Sequence, residues 1–141
     1  MEQDKALNLL SLARKAGRIE VGESPVAICT RAGKARLTVV AADASDHTLR
    51  RVRNLVSGTE QPYLCVAYDK DQLGRALGRS AVAVASLTDP ALALAFVKAL
   101  SPNEQHDQLL SLLSERAAHA RQREAERRAH RANVRRGKKK S

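Results

Sequence analysis

Apolar residues at three-to-four spacing, Ala6, Leu9, Leu10, Ala13 and Ala16, predict an amphipathic helix over about residues 3–16 that stops at Gly17. Arg18 to Val21 then reads as a short strand. In Gly22-Glu23-Ser24-Pro25 the pattern predicts a second helix, with Ser24 as its cap and Pro25 at the first helical position, where a missing N–H costs nothing. That helix runs to about Ala32, ahead of Gly33. Leu37 to Ala42 is a continuous apolar run, too short for a helix and suited to a strand covered on both faces.

Ser45 caps a helix that carries Leu49, Val52 and Val56. Pro62 precedes a strand from Tyr63 to Tyr68, and Asp69 or Asp71 opens a short helix with Leu73, Ala76 and Leu77. Ala81 to Leu87 is the fourth strand. Thr88-Asp89-Pro90 starts a helix that reaches about Leu100. Five helices thus alternate with four strands, which predicts an α/β sandwich with helices on both faces of a four-stranded sheet. Ser101-Pro102-Asn103 marks a boundary between a domain at 1–100 and an extension at 101–141. Leu109, Leu110, Leu112 and Leu113 form a short apolar patch there. Ala, Arg, Glu and Gln follow in a helix-favouring stretch that has no heptad seam, and Gly137 and the terminal Lys-Lys-Lys-Ser are expected to be disordered when free.

The charge distribution sharpens that division. The 141 residues carry a net charge of +10. Residues 1–115 hold 14 basic and 13 acidic side chains, whereas residues 116–141 hold 11 basic and only 2 acidic, Glu124 and Glu126. A near-neutral body with a cationic tail points to an anionic partner, because cations at that density repel one another unless anions neutralise them. The order Met-Glu-Gln-Asp-Lys lacks a signal peptide's pattern and no apolar run is long enough to span a membrane, so a cytoplasmic location is expected.

Catalytic chemistry finds little support. Cys29 and Cys65 each sit in an apolar stretch and read as small buried hydrophobes, and His47, His106, His119 and His130 lack metal-site spacing. Gly17 to Ser24 has the glycine spacing of a phosphate-binding loop, but Glu23 stands where that loop needs a lysine. No nucleophile elbow or dinucleotide fingerprint occurs, and a helix-start role accounts for Asp43. No enzyme, metal or cofactor is expected. Phe96, Tyr63 and Tyr68, the aromatic residues, fall in segments read as core, which leaves few rings to stack on unpaired bases. The expected mode is contact with RNA phosphates and folded RNA shape through Arg and Lys, helix N-termini and loop amides.

Four segments, Gly17-Arg18-Ile19-Glu20-Val21-Gly22, Arg31-Ala32-Gly33-Lys34-Ala35-Arg36-Leu37, Ala41-Ala42-Asp43-Ala44-Ser45 and Leu73-Gly74-Arg75-Ala76-Leu77-Gly78, together resemble the kink-turn-binding ribosomal protein family, the ribosomal protein L-seven-Ae superfamily. The similarity is greatest to its small bacterial YlxQ-like branch and covers about residues 5–100. It implies a three-layer α/β/α sandwich that binds structured RNA, above all the kink-turn with its sheared G·A pairs, and has no catalytic activity. The family's second helix begins Gly-x-Asn-Glu with a Lys one turn later; the matching residues here are Gly22, Glu23, Ser24, Pro25 and, for the Lys, Ile28. Pro25 and Ile28 depart from that pattern, so the resemblance implies a weakened or altered kink-turn preference. The family's second RNA-contacting loop matches Arg79, Ser80 and Ala81.

Together these readings give a non-enzymatic, monomeric RNA-binding protein. Its expected partners are structured RNA, with ribosomal RNA a candidate, and ribosome-associated proteins. The body would dock through Gly22, Glu23 and Ser24 and through Arg79, Ser80 and Ala81, with Arg31 and Lys34 near the phosphates. Tail residues Arg121, Arg127, Arg128 and Arg131 would add electrostatic affinity. The competing reading is a protein-interaction adaptor on the same fold, its RNA surface reassigned.

Overall fold

The unbroken apolar run at Leu37–Val40 is buried at every position, which requires cover on both faces of its strand. The computed structural model describes residues 4–100 and 104–140 and provides that cover. The elements are α1 (Lys5–Lys15), β1 (Ile19–Val21), α2 (Glu23–Arg31), β2 (Leu37–Val40), α3 (Asp46–Val56), β3 (Tyr63–Cys65), α4 (Lys70–Ala76), β4 (Val84–Leu87), α5 (Pro90–Ala99) and α6 (Glu104–Lys140). The strands lie in the order β1-β4-β2-β3; β4 is antiparallel to both β1 and β2, and β2 is parallel to β3.

Side-chain alternation along β2 and β4 divides the interior. Leu37, Val39, Ala85 and Leu87 join α1, α4 and α5 through Leu10, Leu73, Leu77 and Phe96, while Val40 and Val84 meet Val26 of α2 and Val52 of α3. Thr38 and Ser86 sit on that second face, fully buried, and share a hydroxyl hydrogen bond of 2.8 Å, as buried polar groups require. The result is the three-layer α/β/α sandwich read from the alternation.

Local chemistry sets the helix starts. Ser45 caps α3, Asp69 caps α4 in a reciprocal box with Gln72, and Asp89 caps α5 with Pro90 in the first turn. The start of α2 differs from expectation: Gly22 is the cap, so Ser24 lies inside the helix and Pro25 occupies its third position. Gly22 has φ +102°, a conformation open to glycine and strained for other residues, and Pro25 still falls among the first-turn positions that need no N–H.

Three more expectations are corrected. Cys29 is buried but Cys65 is exposed, because β3 is the edge strand and Cys65 ends it. Of the aromatics only Phe96 is fully buried. Tyr63 and Tyr68 are half-buried, with hydroxyls engaged at the surface, Tyr63 accepting from Arg53 and Tyr68 donating 2.6 Å to Asp4. Finally, α6 is helical through Gly137 to Lys140, where disorder was expected; the surrounding Arg and Lys are good helix formers, and one glycine costs only about 1 kcal/mol.

The leucine patch of the extension packs on the body. Leu113 and Ala117 are buried and Leu109 and Leu110 partly so, adding α6 to the core beside α5. The boundary expected at Ser101-Pro102-Asn103 lies outside the described residues.

Candidate nucleic-acid interface

Antiparallel pairing of β1 and β4 brings the end of one against the start of the other. The Gly22 N–H donates 3.0 Å to the Val84 carbonyl, and the Ala41 N–H, just past β2, donates 2.9 Å to Ala83. The start of α2, the turn after β2 and the loop between α4 and β4 therefore meet at one end of the sheet. The strands expected to reach Ala42 and Tyr68 and to begin at Ala81 are shorter than read, since these residues form that end. Ala42 N–H donates to Tyr68, and the Asp43 carboxylate accepts the Lys70 N–H at 2.8 Å, so Asp43 does serve a helix start, that of α4.

Loop 79–81 is held by a close backbone approach. The Arg79 N–H donates 2.7 Å to the Gly74 carbonyl and the Val82 N–H donates 3.0 Å to that of Lys70. A Cβ on Gly74 would lie 2.7 Å from the Arg79 carbonyl and 2.9 Å from the Ala81 Cα, so only glycine lets the loop fold onto α4. Gly78 turns the chain with φ +70°. Arg79, Ser80 and Ala81 stay exposed on this support, and the chain leads from them into the start of β4, where Val84 bonds Gly22.

The first turn of α2 offers the N–H groups of Glu23 and Ser24, which by position have no acceptor within the helix. Ser24 is exposed. Glu23 is already engaged: one carboxylate oxygen accepts 2.7 Å from the Thr48 hydroxyl and the other 2.7 Å from Arg51. The Thr48 hydrogen bond, aided by Arg51, holds its pKa below the usual carboxylate value against the opposing effect of burial. Glu23 therefore joins α2 to α3 and brings a neutralised pair to this end. Between the two helices runs a groove of about 780 Å³ whose wall includes Ser24, Ile28, Arg31, Arg51 and Leu55. Ile28 is 68% exposed, so no packing demand explains an apolar side chain there.

The other predicted residues lie elsewhere. Arg31 ends α2, about 12 Å of helix beyond Glu23, and lines the same groove, while Lys34 follows in the α2–β2 loop. That loop leads to Arg36, whose N–H donates to Leu87 at the far end of β4. Arg121, Arg127, Arg128 and Arg131 are exposed on α6; the last three surround the single carboxylate of Glu124 at 3.4–3.8 Å. Thr48 and Arg51 at the Gly22 end were missed in the sequence, where nothing at 25 or more residues' remove signals their bond to Glu23. Among the described residues no group of three or more His, Cys, Asp or Glu side chains is placed to hold a metal ion, and no helix is long and apolar enough to cross a membrane.

Comparison with known proteins defines the class to which this sandwich belongs. Residues 4–95 match the model of the ribosomal protein L7Ae/L30e/S12e/Gadd45 family, and the chain belongs to that family. It is 33% identical over 85 residues to the RNA-binding protein YlxQ of Bacillus subtilis (strain 168), covering 60% of this chain and 84% of that one. To the RNA-binding protein YlxQ of Enterococcus faecium it is 38% identical over 60 residues, 43% of this chain; that match spans only 58% of the Enterococcus protein's length. Among solved structures, a protein of unknown function from Bacillus halodurans C superposes with a TM-score of 0.65 at 25% identity, covering 71% of this chain and all of that one. The Giardia lamblia 15.5kD RNA binding protein superposes with a TM-score of 0.58 at 26% identity, covering 67% of this chain and 81% of its own.

Proposed function

We propose that this protein binds structured RNA, without catalysis, through the end of the sheet where the α2 start meets loop 79–81. The observation that carries the reading is their approach to one strand end: Gly22 bonds Val84 at the start of β4, and the loop 79–81, held on α4 by the Arg79–Gly74 bond, runs directly into that start, in a member of this family. Relatives named as RNA-binding proteins favour RNA over the adaptor reading. In this account the Ser24 hydroxyl and first-turn amides face base edges, Arg79 faces a phosphate, and Ser80 and Ala81 fit against the RNA by shape. Arg121, Arg127, Arg128 and Arg131 add long-range attraction that salt weakens. The protein acts as a monomer in the cytoplasm, with ribosomal RNA and ribosome-associated proteins as partners.

Pro25 and Ile28 limit selectivity, each removing a polar contact of the family's pattern worth about 1–3 kcal/mol if comparable to paired groove contacts. The test is a gel-shift titration of the full chain with a kink-turn RNA and with a control lacking the sheared G·A pairs, at physiological salt. Binding to both RNAs is expected, with a preference for the kink-turn below about tenfold, or 1.4 kcal/mol. Failure to bind either RNA overturns the proposal.

A further inference from the structure

The opposite end of the sheet gathers cations that the proposed interface leaves unused. The α2–β2 loop, the start of α5 and the docked face of α6 enclose a cleft of about 320 Å³, lined by Arg36, Glu60, Pro90, Arg116, His119 and Arg123 among others. Arg116 is fixed there, its guanidinium donating 2.5 Å to the Glu60 carbonyl. The Glu60 carboxylate is 4.0 Å away and almost fully exposed, so it neutralises Arg116 weakly. Arg36 has a buried Nε with no hydrogen-bond partner among the described residues. Arg123 and Lys34, which follows Gly33 of the cleft wall, are exposed.

Internal demands do not account for this arrangement. The C-terminus of α2 carries about half a negative charge, which one cation answers. The start of α5 adds the opposite sign, and its Asp89 is taken up in capping Leu92. A guanidinium nitrogen removed from water without an acceptor costs stability unless a ligand supplies one. The line also continues outward: Arg123, Arg127 and Arg131 recur every four residues on one face of α6, and although Glu124 pairs with the last two the row keeps a positive surplus, which suits an extended polyanion better than a single small ion.

We propose that this end is a second RNA surface, a phosphate cradle of Arg36, Arg116 and Arg123 that exists because α6 docks on the body. It deepens the RNA-binding reading and rests on it. The protein then holds RNA at both ends of its sheet, the Gly22 end reading shape and the Arg36 end gripping backbone. Of the two cations expected near the phosphates, Lys34 lies in the α2–β2 loop beside this cleft, whereas Arg31 lines the groove between α2 and α3.

The test measures affinity of the full chain for a kink-turn RNA with extended flanking helices, across a salt series, for wild type, Arg36→Gln/Arg123→Gln and Arg79→Gln. A charge-matched control, Arg50→Gln/Lys98→Gln, changes exposed cations on α3 and α5. The cradle double variant is expected to bind about ten- to thirty-fold more weakly at 0.15 M salt, with the slope of log affinity against log salt reduced by about 1.4–1.8. The charge-matched control should change affinity far less, and the kink-turn preference of the cradle variant should be unaltered. Lys34→Gln/Arg123→Gln, confined to exposed side chains, should reproduce the loss if Arg36→Gln impairs folding. An unchanged slope in both cradle variants, with binding still weakened by Arg79→Gln, overturns this proposal alone and leaves the surface to an acidic protein. Wild type that binds no RNA overturns the underlying reading as well.

Discussion

The two ends of the sheet are built from different materials. At the Gly22 end, the proposed surface is backbone: a glycine cap, a first helical turn, and a loop that lies on α4 because Gly74 has no side chain. At the Arg36 end the proposed cradle is made of long cationic side chains, brought together by a helix that enters from the extension. A surface of fixed backbone selects a partner by shape, whereas clustered guanidinium groups attract any phosphate chain. The contrast teaches that α6 belongs partly to the fold and partly to the surface. Its apolar face completes the core, and its basic face supplies charge.

Breaking the anchor of α6 is the most severe way to disturb this comparison. Leu113 is fully buried against the core, so Leu113→Ala should destabilise the protein by about 2–5 kcal/mol, seen in chemical denaturation. An unchanged midpoint would mean that α6 does not dock. Gly74→Ala attacks the other end: its Cβ would press on the Arg79 carbonyl and the Ala81 Cα, and a cost of about 1–3 kcal/mol is expected, together with weaker RNA binding. Ile28→Lys should sharpen the contrast. It returns a cation to an exposed position beside the α2 start, and should raise kink-turn affinity several-fold with little effect on thermal stability.

The smallest effect expected is at Glu23. Its carboxylate pKa is lowered in the folded protein, chiefly by the Thr48 hydrogen bond and then by Arg51, so it stabilises the fold at pH above the unfolded carboxylate value. That contribution is lost as pH falls through the lowered folded value. Because the side chain is 39% exposed, the loss should stay below about 1 kcal/mol. Glu23→Gln should flatten the stability profile in this acid range and change it little at neutral pH; an equally steep profile would assign the acid sensitivity to another carboxylate.

Much of the fold was legible because its signals are local. Ser45, Asp69 and Asp89 cap the helices they precede, and the Leu37–Val40 run declared its two-sided burial. The α2 start was misread at Ser24 and Pro25 because cap chemistry in the sequence favours Ser, whereas the tertiary bond from Gly22 to Val84 fixes the cap two residues earlier. Residues 79–81 were proposed from the Leu-Gly-x-Ala-x-Gly resemblance. Arg31 and Lys34 were expected near the phosphates; Arg31 lines the groove between α2 and α3, and Lys34 lies past the end of α2 in the loop to β2. The Arg36 cleft was invisible, since it brings Arg36 to residues 80 or more positions away through the packing of Leu113 and Ala117. The adjoining leucine patch held the signal for that packing, without its destination.

The central claim is that the Gly22 end meets RNA, and amide chemical shifts report on it residue by residue. Titrating the isotopically labelled full chain with a kink-turn RNA should shift the backbone N–H signals of Gly22, Glu23, Ser24, Arg79, Ser80 and Ala81 beyond those of the exposed outer faces of α3 and α5. Shifts confined to α6, with these six amides unmoved at saturation, would contradict the account.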